Sequence, residues 1–174
     1  MENNFCSYDG YGQQIGGDAW RRRVERGWEG MSESKVLFVD DEPEARDALC
    51  RVLLDQDYEI LMASSGEEVL EILRTETVQV VVTDYMMPGM NGLELMERIK
   101  RQHPETLGIV LSAVADWDLV AGAMDRDTVY SFIAKPWNNN ELLFTIRRGL
   151  ELVRTRQELR RLQEQVRKLT GQRP

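Results

Sequence analysis

The sequence predicts an α/β protein, a three-layer sandwich in which helices cover both faces of a sheet of five parallel strands. Short runs rich in Val, Ile and Leu, apolar at consecutive positions as doubly buried strands require, alternate with segments of helical period. Strands that alternate with helices of this length are joined by right-handed crossovers and therefore run parallel. A third observation concerns where the runs stop: Val36-Leu37-Phe38-Val39 ends at Asp40-Asp41, and Val80-Val81-Val82-Thr83 ends at Asp84, followed by Pro88, Gly89, Asn91 and Gly92. In an open parallel sheet the carboxyl ends of the strands are where ligands bind.

The elements follow in order. Residues 1–32 are rich in Gly, Asn and Gln and show no sustained period, so they form a disordered or irregular extension that buries too little to offset its ordering entropy. Residues 33–150 hold the folded unit, and 151–174 a helical extension. After the first strand, Pro43 suits the opening turn of a helix whose apolar face is Ala45, Ala48, Leu49, Val52 and Leu53, to about Asp55. Tyr58 to Met62 is a short strand. Ser65 with Glu68 is a capping-box pattern that opens a helix burying Val69, Leu70, Ile72 and Leu73. The central strand ends at Asp84. Asn91-Gly92 leads into a helix carrying Leu93, Met96 and Ile99, which stops at His103-Pro104. Ile109-Val110-Leu111 is a strand ended by Ser112, Asp116 to Met124 a short helix, and Val129 to Ile133 the last strand, running into Ala134-Lys135-Pro136.

A chain of 174 residues holds one domain of ordinary size with appendages. The net charge of −8 argues against a dedicated nucleic-acid binder. From Arg147 onward nine basic residues face three acidic ones, a local net of +6 that leaves −14 on the remainder. Cys6 and Cys50 imply no disulfide framework, which fits a reducing compartment. No apolar run approaches membrane-spanning length, so a cytoplasmic protein without a membrane partner is expected.

Three carboxylates gathered at adjacent strand ends repel one another unless they share a cation. A hard divalent ion with oxygen ligands answers that need, and Mg²⁺ takes few carboxylates and keeps several waters. Lys135, at the end of the last apolar run, adds an ammonium able to pair with a carboxylate or phosphate. Ser112 adds a hydroxyl.

Together Asp40-Asp41, Asp84, Ser112 and Lys135-Pro136 resemble, in order and interval, the active-site set of the response-regulator receiver domain, over about residues 34 to 150. The resemblance implies the strand order 2-1-3-4-5, with the first and third strands adjacent. It implies a signalling switch in which Asp84 is the phosphoacceptor, taking a phosphoryl group from a sensor histidine kinase, a phosphotransfer protein or a small acyl phosphate. Asp40, Asp41, Asp84 and the backbone carbonyl of Met86 would hold Mg²⁺, Asp40 mainly through bound water. Lys135, joined to Pro136 by a cis bond, would hold one phosphoryl oxygen and Ser112 another. Ser112 and Phe132 form the switch, the ring filling space that the hydroxyl vacates. Such a domain assists its own phosphorylation and dephosphorylation without being an enzyme in its own right. Apolar Met86 and Val114, where relatives often carry polar residues, imply slow self-dephosphorylation.

Two other readings compete. An aspartate-nucleophile phosphohydrolase carries a second Asp as general acid where Met86 stands, and loss of that acid removes about 10²-fold or more in rate. A transcription factor would need a helix-turn-helix of adequate length after Gly149, and none follows, so no direct nucleic-acid contact is expected. Lys135-Pro136-Trp137 with Asn138 and Glu141 resembles receivers that precede cyclic-dinucleotide phosphodiesterase or kinase modules, so the chain is either a stand-alone adaptor or the receiver-plus-linker part of a longer regulator. From Leu142 to Leu169 one continuous helix is predicted. Leu152, Thr155, Leu159, Leu162, Val166 and Leu169 then follow spacings of three and four, a short coiled-coil seam that predicts a homodimer through the C-terminal helix.

Overall fold

The computed structural model describes residues 34–53, 56–113 and 128–170. Its elements are β1 (Lys35–Val39), α1 (Pro43–Leu53), β2 (Glu59–Ala63), α2 (Gly66–Thr75), β3 (Val80–Asp84), α3 (Gly92–Gln102), β4 (Leu107–Ala113), β5 (Ser131–Lys135) and α4 (Asn139–Thr170). The expected N-terminal extension 1–32, the helix 116–124, and Val114 lie outside the described residues.

All pairings are parallel and the order is β2-β1-β3-β4-β5, as the resemblance implies. The register that pairs Val39 with Thr83 brings Asp40 level with Asp84. Strand alternation sorts the apolar residues onto two faces. Leu37, Val39, Val81 and Val110 pack beneath Val69, Leu73, Leu95 and Ile99 of α2 and α3. Val36, Phe38, Val80, Val82, Ile109 and Leu111 pack against Leu49 and Leu53 of α1 and Leu142 and Ile146 of α4.

Side-chain caps set the helix starts. Ser65 accepts from the Glu68 amide at the head of α2, while the Glu68 carboxylate turns to Ser64. Asn91 and Glu94 form a full capping box on α3, a pair the sequence reading passed over. Asn138 accepts from the amides of Asn140 and Glu141 and opens α4. The last strand sits two residues later than expected, over Ser131–Lys135, because β4 continues to pair with it as far as Ala113 and Lys135. Tertiary pairing thus carries Lys135 into the sheet. Cys50 is buried on α1.

Helix α4 runs through residue 150 without a break. Leu142, Ile146, Gly149 and Val153 are buried, and from Arg154 to Thr170 every residue is exposed. Gly149 allows close approach to the sheet, since a Cβ there would lie 3.3 Å from Val80 Cγ2. Beyond Val153 the helix overhangs a polar cavity of about 500 Å³ that Arg154 and Gln157 share with Lys35 and Gln79. Arg160 Nη1 then meets Glu105 Oε2 at 2.5 Å, at the foot of β4.

Candidate functional site

The ends of β1 and β3 place carboxylate oxygens of Asp40, Asp41 and Asp84 within 4.8 Å of one another. Asp40 is 1% exposed and Asp84 7%, while Asp41 is partly open to solvent. Asp40 Oδ1 accepts from the Glu42 amide at 2.9 Å, and its backbone carbonyl accepts from Arg46 Nη1 at 2.6 Å. Its Oδ2 is buried and accepts no hydrogen bond. A buried carboxylate oxygen that accepts no hydrogen bond is costly even with an ammonium nearby. The fit is therefore to a hard divalent cation, which takes oxygen ligands from a few carboxylates and completes its shell with water.

Lys135, at the end of β5, reaches across the strand ends. Its Nζ lies 2.6 Å from Asp84 Oδ1 and 3.5 Å from Asp40 Oδ2. Burial alone would lower its pKa, but the hydrogen bond to Asp84 and the charges of Asp84 and Asp40 outweigh it, and the ammonium is held above its ordinary value. For Asp84 burial is the largest influence and raises the carboxyl pKa above its usual 3.8, against the pull of Lys135 and with a push from Asp40.

Ser112 is buried one residue before the end of β4, and its register places it beside Ala134 while Leu111 pairs with Asp84. The Ser112 hydroxyl donates to the Ala113 carbonyl at 3.2 Å. Phe132, partly buried, packs on the face that α2 and α3 cover. The Lys135-Pro136 bond is cis. Met86 directs its side chain to solvent, whereas Met87 and Met90 are buried. Trp137 packs against the cluster that holds Leu142 and Ile146, and His103 caps the end of α3.

Asp40, Asp41, Asp84 and Lys135 are thus brought together, with Ser112 one strand away. Two supporting residues escaped the sequence reading. Arg46 is a cation near the amino end of α1, where the helix dipole disfavours it; that misplacement was its signal, and it resolves as the bond to Asp40. Gly92 follows its helix cap closely: a Cβ there would fall 2.4 Å from the Asp84 carbonyl oxygen, and its amide donates to Tyr85. Only a glycine lets α3 start this close beneath Asp84. Gly89, at φ +78°, turns the intervening loop.

A family model described as the response regulator receiver domain matches residues 36–147. The hydrogenase transcriptional regulatory protein HoxA of Cupriavidus necator is 32% identical over 138 residues, which cover 79% of this chain and 28% of that protein. The DNA-binding transcriptional regulator NtrC of Escherichia coli K12 is 31% identical over 133 residues, 76% of this chain and 28% of that one. The chain therefore spans under a third of the length of these curated relatives. Among solved structures, the signal receiver domain of an HD domain-containing protein from Pseudomonas fluorescens Pf-5 superposes with a TM-score of 0.67 at 29% identity, covering 71% of this chain and 99% of that one.

Proposed function

This chain belongs to the response regulator receiver domain family, and from that premise we propose that it is a phosphorylation-dependent switch in which Asp84 takes the phosphoryl group. The observation that carries the assignment is the reach of Lys135 to both carboxylates, 2.6 Å from Asp84 Oδ1 and 3.5 Å from a buried Asp40 oxygen that accepts no hydrogen bond. Asp84 is the carboxylate that ends the central strand, with the acidic pair on one side and the serine strand on the other.

In the reaction an Asp84 carboxylate oxygen attacks phosphorus. The new O–P bond forms as the donor's bond breaks, N–P in a phosphohistidine or O–P in an acyl phosphate, and the departing atom keeps the electron pair. Lys135 gives up its contact with the free carboxylate and holds a phosphoryl oxygen; Ser112 swings from the Ala113 carbonyl to hold another. Asp40, Asp41, Asp84 and the Met86 carbonyl would hold Mg²⁺, which would supply positive charge against the phosphoryl oxygens. Arg46 and the Glu42 amide keep Asp40 in place for that role.

The donor in this reading is a sensor histidine kinase or phosphotransfer protein. The output is a change in association, with a second copy through the exposed seam of α4 or with a module further along a longer regulator. Turnover as a phosphohydrolase is disfavoured because Met86 stands where a general acid is needed.

Acetyl phosphate with Mg²⁺ should add one phosphoryl group, read by intact mass, and none in Asp84→Asn. A label that persists in Asp84→Asn overturns the assignment.

A further inference from the structure

We infer that the self-association surface is not confined to the free end of α4 but continues along the helix onto the receiver through Phe144 and Arg148, joining two copies in parallel. The inference rests on the dimer reading above and adds the extent and direction of the interface.

Among the described residues the large apolar side chains left exposed are Met86, Phe144, Leu159, Leu162, Val166 and Leu169, and all but the first are on α4. Phe144 is the outlier in sequence, near the start of the helix, and is 61% exposed. It is not an outlier in space. Phe144 and Leu162 are separated by about five helical turns, as are Arg148 and Val166, so both pairs share one side of the rod. The opposite side is fixed by Leu142, Ile146, Gly149 and Val153 in the core and, two turns further, by the Arg160 contact with Glu105. One outward stripe therefore begins on the receiver and runs to Leu169. Within it the Arg148 guanidinium lies 5.7 Å from the centre of the Phe144 ring, which draws its charge toward the ring face.

The stripe calls for a helix as its partner, since spacings of three and four suit knobs packing into the holes of another helix. A second copy of this chain is the occupant that the flanking charges favour. Glu151 immediately precedes the seam position Leu152, and Arg156 immediately follows Thr155. In a parallel, in-register pair, Glu151 of each copy faces Arg156 of the other, and symmetry forms the contact twice. An antiparallel pair separates them. The parallel arrangement sets the two receivers side by side with both Phe144 rings at their junction, so an output seam and a receiver surface become one interface.

Sedimentation equilibrium on the full chain, with and without acetyl phosphate and Mg²⁺, tests this. Phe144→Glu should raise the dimer Kd about tenfold or more, as expected for loss of an aromatic anchor, with an unchanged thermal melt at concentrations where both proteins are monomeric, because the ring is exposed in the single chain. Leu159→Asp/Leu162→Asp should be monomeric. Glu151→Arg should weaken the dimer, and Glu151→Arg/Arg156→Glu should restore it. A parent dimer that Phe144→Glu leaves equally tight overturns the inference while the tail dimer stands. A double charge reversal that fails to restore affinity overturns the parallel arrangement. A parent chain that stays monomeric in both states overturns the dimer reading and this inference with it.

Discussion

At the carboxyl ends of β1 and β3 charged side chains are buried among apolar ones, whereas along α4 beyond Val153 apolar side chains are exposed among charged ones. Both invert the ordinary distribution, and buried polar groups and exposed apolar patches are where function is most often found. They differ in what completes them. The acidic site is completed mostly from within, by Lys135, Arg46, the Glu42 amide and the closeness of Gly92, with one oxygen of Asp40 accepting no hydrogen bond. The seam of α4 from Leu159 to Leu169 is covered by nothing among the described residues. A site of buried charge therefore answers to a small ion or a phosphoryl group, while an exposed stripe answers to a surface.

The largest expected effect sets the two halves of α4 against each other. Leu142→Ala or Ile146→Ala should destabilise by about 2–5 kcal/mol, because each side chain fills the core beneath the sheet. Leu159→Ala, the same chemistry on the same helix, should change the stability of the dilute monomer by no more than about 0.5 kcal/mol. Urea unfolding at low protein concentration separates them, and a large loss in Leu159→Ala would show that the far half packs on its own receiver.

Next comes the divalent ion. A ligand that binds only the folded state adds about 2.7 kcal/mol at 100 times its Kd. Melts with Mg²⁺ should show that gain in the parent and much less in Asp41→Ala; equal shifts in both would remove Asp41 from the ligand set.

A smaller effect concerns the same site without the ion. Because burial raises the pKa of Asp84, the folded state binds its proton more tightly than the unfolded chain does. Between the ordinary carboxylate value and the raised one, stability falls as pH rises. Asp84→Asn, neutral throughout, should therefore melt higher than the parent at neutral pH in chelator. The gap should close as pH falls through the raised value, and a variant that melts lower at neutral pH would contradict this.

The smallest expected effect is at Arg160. Its bond joins an exposed arginine to the half-buried Glu105, and pairs this open to solvent contribute at most about 1 kcal/mol. Arg160→Ala should leave the melt nearly unchanged. Any effect should instead appear as altered seam orientation, read as a changed dimer constant.

Much of the acidic site was legible in the sequence because strand-terminal residues announce themselves: an apolar run that stops at Asp84 or Asp40 fixes the end of the sheet on which the side chain lies. Ser112 and Lys135 were legible for the same reason. Arg46 and Gly92 were not, since a helix-borne arginine and a glycine after a cap have many ordinary uses, and only the approach of the Asp84 carbonyl or the Asp40 carbonyl distinguishes them. The start of β5 was misplaced by two residues because pairing with β4, a non-local interaction, decides where that strand begins and ends.

The sequence by itself determined the alternation of strands and helices, the residues that end each strand, and the seam period of the last helix, all of which are local patterns of three to ten residues. Tertiary structure decided which carboxylate oxygen is left without a hydrogen bond, that Lys135 reaches Asp84 rather than solvent, and that Phe144 stays exposed while Val153 is buried. The reason is physical: periodicity is carried along the chain, but burial and close approach are set by what the rest of the chain packs against each residue, and no local pattern encodes that.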